Sequence, residues 1–119
     1  MSAKEKLALV IEDDAAQQDI FSQAVKMAGF NVEVIGNGQA ALDRLKDVEP
    51  QLVILDLHLP NVSGDEILAT IRADERLASV PVILATADPI LAESLSDTSD
   101  LVLLKPISFS QLRDLASRF

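Results

Sequence analysis

The sequence predicts an α/β protein in which five β-strands alternate with five α-helices, a (βα)5 order that forms a doubly wound, three-layer sandwich around a five-stranded parallel sheet. Three observations carry this prediction. Short apolar runs recur at regular spacing, and segments with a helical period lie between and after them. The apolar residues are almost all aliphatic, since aromatic residues make up 3% of the chain and all of them are Phe. Right-handed crossovers then bring the carboxyl ends of all the strands to one edge of the sheet.

The apolar runs are the predicted strands. They are "LALVI", "VEVI", "LVIL", "VPVILA" and "LVLL", at residues 7–11, 32–35, 52–55, 80–85 and 101–104. Continuous apolar runs are typical of parallel strands that are covered on both faces. Asp56 follows the third run, and because an unpaired charge inside such a strand costs several kcal/mol, we expect Asp56 just past the strand's end.

Residues typical of helix ends flank the segments of helical period. Ser, Asp and Asn at an N-cap accept hydrogen bonds from the first turn, and Gln or Glu three residues later completes a capping box. Gly tolerates the left-handed backbone at the other end. The predicted caps are Asp14 and Gly29 for the first helix, Asn37-Gly38 for the second, Ser63 with Glu66 for the third, Asp88 before Pro89 for the fourth, and Ser108 with Gln111 for the fifth.

Apolar side chains at helical spacing predict the helix faces that pack on the sheet. The inward residues are expected to be Ile20, Phe21, Ala24 and Ala28 in the first helix; Ala41, Leu42, Leu45 and Val48 in the second; Ile67, Leu68 and Ile71 in the third; and Leu112, Leu115, Ala116 and Phe119 in the last.

Length and composition limit the class of protein. A chain of 119 residues is long enough for one domain with a core, so we expect a single domain over residues 1–119. The formal net charge of −9 repels nucleic acid and anionic membranes, so neither is an expected partner. The absence of Cys excludes disulfides and thiolate metal sites. Without a bilayer-spanning run or a signal peptide in the sequence, we expect a soluble, cytoplasmic protein.

Polar residues follow four of the predicted strands. Glu12 and Asp13 follow the first strand, Asp56 the third, Thr86 the fourth and Lys105 the fifth. Two carboxylates about 4 Å apart repel by roughly 4 kcal/mol at an effective dielectric constant near 20, so the cluster needs a compensating cation. Hard oxygen ligands favour Mg²⁺. Lys105 adds a fixed positive charge and, like the hydroxyl of Thr86, a partner for phosphate oxygens.

The segments "LVIEDD", "LDLHLPNVSG", "LATA" and "LLKP" together resemble the signature of the receiver domain of two-component response regulators, in order and spacing, over essentially the whole chain. The resemblance implies the flavodoxin-like strand order 2-1-3-4-5. It implies a phospho-acceptor signalling domain and not an enzyme. Such a domain catalyses only its own phosphorylation and dephosphorylation. The phosphoryl donor would be a histidine kinase or a histidine phosphotransfer protein.

The resemblance also implies roles for the residues at the strand ends. Asp56 would be the phosphoryl acceptor, and Thr86 and Lys105 would hold the phosphoryl oxygens. The bond between Lys105 and Pro106 would be cis.

The implied Mg²⁺ ligands are Asp13 and Asp56, together with the backbone carbonyl of His58. Glu12 would act mostly through water. The side chain of His58, the only histidine of the chain, is expected to be exposed at the rim of the site.

The sequence departs from the family near its end. Receivers commonly have Tyr or Phe three residues before the lysine, where this chain has Val102, and residues 86–105 form a shorter segment than is usual. The fourth helix, fifth strand and fifth helix form the usual signalling surface of the family. The resemblance therefore implies that a second copy or an output partner would bind to this surface. It is also the part of the chain that resembles the family least.

Two other functions remain open at this point. A haloacid-dehalogenase-like phosphatase also uses Asp, Thr, Lys and Mg²⁺, but it needs a second Asp two residues after the nucleophile, where this chain has His58. Its other acid pair also comes late in the chain, whereas Glu12 and Asp13 come early. A degenerate receiver would act only as a binding module, which Val102 leaves open and the intact set of acids, Thr and Lys disfavours.

Overall fold

The computed structural model describes residues 6–95 and 101–119, where strands and helices alternate as predicted. Two parts of the sequence on which predictions rested lie outside the described residues, namely the N-terminal residues 1–5 and residues 96–100 of the shortened segment. The strands are β1 (Leu7–Ile11), β2 (Asn31–Ile35), β3 (Leu52–Asp56), β4 (Val82–Thr86) and β5 (Leu101–Leu104). The helices are α1 (Ala15–Met27), α2 (Gly38–Leu45), α3 (Gly64–Ala73), α4 (Pro89–Ser94) and α5 (Phe109–Ala116).

The five strands form one parallel sheet in the order β2-β1-β3-β4-β5, which confirms the implied topology. Asp56 is aligned with Ala85, and Thr86 with Leu104, so the ends of β3, β4 and β5 are level. The backbone N–H of Lys105 continues the ladder by donating to the carbonyl of Thr86 at 2.8 Å. The expected edge of strand ends is therefore formed.

Three strands have bounds that differ from the prediction, and β2 differs only in beginning one residue earlier, at Asn31. Asp56 is the last residue of β3 rather than the residue after it, because its carboxylate is paired and its charge is thus tolerated within the strand. The fourth strand runs from Val82 to Thr86 rather than over residues 80–85. Pro81 has no N–H to donate to a ladder, which explains why the strand begins after it.

Helices cover both faces of the sheet, which confirms the three-layer arrangement. Alternate residues of each strand point to opposite faces. Phe21 and Leu112 belong to the core beneath α1 and α5, whereas Ala41 and Ile67 belong to the core beneath α2 and α3. Strand residues fill both cores with aliphatic side chains.

The side-chain caps are mostly as predicted. Asp14 accepts a hydrogen bond from the N–H of Gln17, and Asn37, Asp88 and Ser108 cap α2, α4 and α5 in the same way. Gly29 follows α1 with a φ of 106°, as its predicted role requires. The prediction of a capping box in the third helix is wrong. Ser63 occupies the N-cap position of α3, but its side chain makes no cap hydrogen bond.

Two predicted core residues are exposed instead. Ile20 is 41% exposed because Val25 fills the core beside Phe21 and leaves Ile20 at the border of the buried face. Phe119 is 37% exposed because α5 ends at Ala116 and the chain has left the helical face by then. The other predicted inward residues are buried or half-buried.

Gly64 lets α3 begin directly against the end of β3. A Cβ atom at this position would lie 2.5 Å from the carbonyl oxygen of Asp56 and 2.6 Å from Cα of Leu57. Its N–H donates to the carbonyl of Leu57 at 3.2 Å. The glycine eight residues after Asp56 is thus a steric requirement of the loop that follows the strand.

None of the helices in the described ranges is long and apolar enough to cross a membrane.

Candidate functional site

Lys105 lies between two buried carboxylates at the edge of the sheet. Its Nζ atom is 3.1 Å from Oε1 of Glu12 and 3.3 Å from Oδ1 of Asp56. The side chains of Glu12 and Asp56 are 1% and 3% exposed, and that of Lys105 is 15% exposed. The bond between Lys105 and Pro106 is cis, as the resemblance implies. Three residues at the carboxyl ends of three separate strands, β1, β3 and β5, thus share one ion-pair network.

Glu12 is poorly compensated in this network. Burial raises the pKa of its carboxyl from 4.5 to about 7, and the negative charge of Asp56 acts in the same direction. Hydrogen bonds from the N–H of Asp14, at 3.1 Å, and from Lys105 oppose the effect of burial on this pKa without cancelling it. The carboxylate end of the site is therefore short of positive charge.

Asp56 uses its two oxygens differently. Oδ1 accepts a hydrogen bond of 3.1 Å from the backbone N–H of His58 and contacts Lys105, whereas Oδ2 takes part in neither contact. The second oxygen is thus less engaged by neighbouring residues.

Three carboxylates converge as the sequence predicts. Glu12, Asp13 and Asp56 each offer one oxygen, and these oxygens lie within 4.8 Å of one another. Asp13 is exposed, whereas the other two are buried. An all-oxygen donor set with surplus negative charge, open to solvent on one side, fits a hard divalent cation such as Mg²⁺.

The backbone of Glu12 is held by a residue that the sequence analysis did not identify. Nε2 of Gln18 donates a hydrogen bond of 2.7 Å to the carbonyl oxygen of Glu12. Gln18 lies in α1, so the contact ties this helix to the turn that carries Glu12 and Asp13. A glutamine in a helix carries no sequence signal for such a role.

Thr86 is fully buried, and its hydroxyl is bound by residues of two loops. Oγ1 accepts a hydrogen bond of 3.0 Å from the N–H of Asp88 and lies 3.2 Å from Nε2 of His58. The side chain of His58 is exposed as expected, but its contact with Thr86 was not predicted. Exposure was the only property that the sequence indicated for this ring.

A (βα)5 sheet of this strand order, with clustered acids and a lysine at its carboxyl edge, fits a phospho-acceptor signalling domain. The chain matches the response regulator receiver domain family over residues 8–117, and it belongs to that family. Receiver domains are signalling domains that interact with histidine kinases, and their acidic cluster typically binds Mg²⁺. The dehalogenase-like phosphatase is not favoured.

Comparison with individual proteins agrees with this assignment. The chain is 36% identical over 116 residues to the probable methanogenesis regulatory protein FilR2 of Methanothrix harundinacea, with 88% of this chain and 75% of that protein covered. It is 36% identical over 95 residues to the DNA-binding response regulator MtrA of Mycobacterium tuberculosis, with 80% of this chain but only 37% of MtrA covered. The signal receiver domain of a putative Luxo repressor protein from Vibrio parahaemolyticus superposes with a TM-score of 0.84 at 27% identity, covering 97% of this chain and 92% of that one.

Proposed function

We propose that Asp56 accepts a phosphoryl group from a histidine kinase or a histidine phosphotransfer protein, in a Mg²⁺-dependent reaction, and that phosphorylation switches the binding of partners. The observation that supports this most is the setting of Asp56 at the end of β3. Its carboxylate is buried, lies 3.3 Å from Lys105, and is grouped with two further carboxylates. A structural carboxylate does not need this combination of burial, one cation and surplus negative charge.

The proposed transfer forms one bond and breaks another. An oxygen of Asp56 attacks phosphorus in line with the P–N bond of the donor's phosphohistidine, a P–O bond forms, and the electron pair of the broken bond leaves on the imidazole nitrogen. We assign the attack to Oδ2, because Oδ1 is already bound by Lys105 and by the N–H of His58. A carboxylate is a weak nucleophile, so placement and charge neutralisation supply the rate. Dephosphorylation is the attack of water on the same phosphorus, with the P–O bond to Asp56 breaking.

Lys105 and Thr86 have separate parts in this reaction. The ammonium group of Lys105 neutralises charge on the transferring phosphoryl group, and the hydroxyl of Thr86 donates a hydrogen bond to one of its oxygens. Mg²⁺, when bound, supplies further positive charge to the phosphoryl oxygens. Asp13, Asp56 and the carbonyl of His58 would hold it, with Glu12 acting through water.

The proposal extends to the whole chain and its partners. The chain acts as one receiver domain over residues 1–119, in the cytoplasm. Output partners or a second copy bind through α4, β5 and α5, which is supported by apolar side chains left open there: Ile90 is 81% exposed and Leu104 is 48% exposed.

Phosphorylation by a small donor tests the proposal directly. We expect incubation with acetyl phosphate and Mg²⁺ to add one phosphoryl group, measured by intact mass. Asp56→Asn should abolish the addition and Lys105→Ala should reduce it. Asp19→Asn, which removes an exposed carboxylate of α1, should be labelled like the wild type. Full labelling of Asp56→Asn would refute the acceptor, and no labelling of a wild type that binds Mg²⁺ would favour the degenerate receiver.

A further inference from the structure

The hydroxyl of Thr86 already has two hydrogen-bonding partners. It accepts from the N–H of Asp88 at 3.0 Å and lies 3.2 Å from Nε2 of His58. A hydroxyl offers one proton and two acceptor sites. These contacts therefore occupy two of the three hydrogen-bonding positions of the hydroxyl. Both partners lie in loops, and neither of them is Asp56, the proposed phosphoryl acceptor.

His58 contacts both Asp56 and Thr86. Its backbone N–H donates to Oδ1 of Asp56 at 3.1 Å, while its ring is hydrogen-bonded to Thr86. The ring thus reaches from the loop after β3 to the end of β4. The position of the Thr86 hydroxyl depends in this way on the loop that follows the acceptor.

The contact with His58 competes with the role of Thr86 in the proposed function, on which this inference rests. If Thr86 donates its proton to Nε2, that proton is not available to a phosphoryl oxygen. If Nε2 of His58 donates instead, the hydrogen bond still keeps Oγ1 of Thr86 next to the ring. Because Thr side chains occupy few staggered χ1 positions, a change of partner is a discrete step. Either tautomer of His58 therefore opposes the movement of the hydroxyl towards Asp56.

We propose that His58 acts as a latch on Thr86: its ring stabilises the unphosphorylated position of the hydroxyl, and their hydrogen bond breaks when Thr86 turns to the phosphoryl group. His58 is then a positioning residue, since its ring sets the affinity for the phosphoryl group through Thr86. The net strength of one ordinary hydrogen bond corresponds to a change of about threefold to tenfold in that affinity.

Binding of beryllofluoride, a mimic of the phosphoryl group, tests the latch. The affinity is measured at saturating Mg²⁺ from amide chemical shifts, since the chain has no Trp or Tyr to report by fluorescence. We expect His58→Ala to bind the mimic about threefold to tenfold more tightly than the wild type. His58→Gln, whose amide can replace the ring as a hydrogen-bonding partner, should lie close to the wild type.

A double substitution shows whether His58 acts through Thr86. Thr86→Val keeps the shape of the side chain but removes the hydroxyl, and in that background we expect His58→Ala to leave the affinity unchanged. The latch is overturned if His58→Ala binds the mimic as tightly as the wild type or more weakly. It is also overturned if His58→Ala tightens binding in the Thr86→Val background as much as it does in the wild type. Should Thr86→Val not fold, the ¹⁵N resonance of His58 Nε2 in the wild type decides, because a broken hydrogen bond must shift it when the mimic binds and an unchanged resonance overturns the latch.

The same measurements separate the latch from the proposed function. A wild type that neither binds the mimic nor takes up a phosphoryl group from acetyl phosphate would remove the proposed function, and the latch with it. A wild type that does both, with no effect of His58→Ala, would remove the latch alone.

Discussion

The Nζ atom of Lys105 lies 3.1 Å from Oε1 of Glu12, and yet the pKa of Glu12 stays raised at about 7. Burial is the largest cause, and the neighbouring negative charge of Asp56 adds to it. One ammonium group is therefore too little for the carboxylates gathered at this edge. The imbalance has a measurable consequence for the metal-free protein.

We expect the stability of the metal-free protein to fall as the pH rises from about 4.5 to about 7. In this window the folded state holds a proton on Glu12 that the unfolded state has lost, so the free energy of unfolding decreases with pH, and the dependence ends above the folded pKa. Glu12→Gln should remove this dependence and, above pH 7 in chelator, raise the free energy of unfolding. The gain should be roughly 1 to 2 kcal/mol, less than the full shift implies because electrostatic effects at buried sites correspond to an effective dielectric constant near 20. Urea unfolding of both proteins across this range measures the difference.

Asp13→Asn is the matched control for Glu12→Gln. It removes the same charge from the same cluster, but Asp13 is exposed and its repulsion is screened, so its stabilising effect should be smaller. Both variants should bind Mg²⁺ more weakly than the wild type. Equal stability of Glu12→Gln and the wild type at every pH would contradict the role of burial.

Gln18 is expected to support Mg²⁺ binding without touching the ion. Gln18→Ala removes the hydrogen bond of 2.7 Å to the carbonyl of Glu12 and leaves that carbonyl without this donor, so the turn carrying Glu12 and Asp13 is held less firmly. We expect the Kd for Mg²⁺, from amide shifts, to rise about threefold to tenfold. Gln23→Ala changes an exposed residue of the same type in the same helix and should have no effect. Equal affinities of the two variants would argue against this role.

The fold was predictable because its signals are local. The aliphatic runs at residues 52–55 and 101–104 and caps such as Asp14 and Asp88 need only the neighbouring sequence to be recognised. Ser63 and Ile20 show where local signals fail, because a cap or a buried face also depends on how the helix lies on the sheet. The strand order came from the family resemblance and not from the pattern of apolar residues.

The candidate site was predictable only in part, for a similar reason. Parallel strands bring Glu12, Asp56 and Lys105 to one edge in any such fold, so their meeting follows from the topology. The contacts of Gln18 and of the His58 ring depend on the paths of individual loops. Such contacts are not visible in residue type or spacing, and so only the structure revealed them.

Gly64 is expected to be intolerant of even one added methyl group. In Gly64→Ala the new Cβ would lie 2.5 Å from the carbonyl of Asp56, so the backbone beyond the acceptor has to move. We expect a loss of roughly 1 to 3 kcal/mol in the free energy of unfolding, and slower phosphorylation by acetyl phosphate. Gly36→Ala is the matched control, because its Cβ would meet only Nε2 of Gln18 at 3.4 Å. Urea unfolding of the two variants tests the difference, and equal values would show that the loop adapts freely.

The response to phosphorylation is expected to stay near β4 and α4. Val102 stands where receivers commonly carry an aromatic ring, and here it is half-buried against the core beneath α2 and α3. A β-branched side chain has restricted χ1 angles, so it exchanges poorly between two positions when Thr86 moves. A ligand shifts an equilibrium only by its differential affinity for the two states, and less rearrangement at Val102 leaves less free energy to transmit through β5.

Beryllofluoride should therefore change amide shifts and hydrogen exchange chiefly over residues 86–95, with residues 101–104 nearly unchanged. Val102→Tyr restores a large side chain at this position and should extend the response into β5, whereas Val102→Ile, which keeps the β-branch, should behave like the wild type. The comparison of the three proteins with and without the mimic separates the effect of the ring from that of added volume. In the wild type, the changes over residues 101–104 could instead be as large as those over residues 86–95. This result would show that β5 takes part in the switch without an aromatic ring, and that Val102 does not keep the response out of β5.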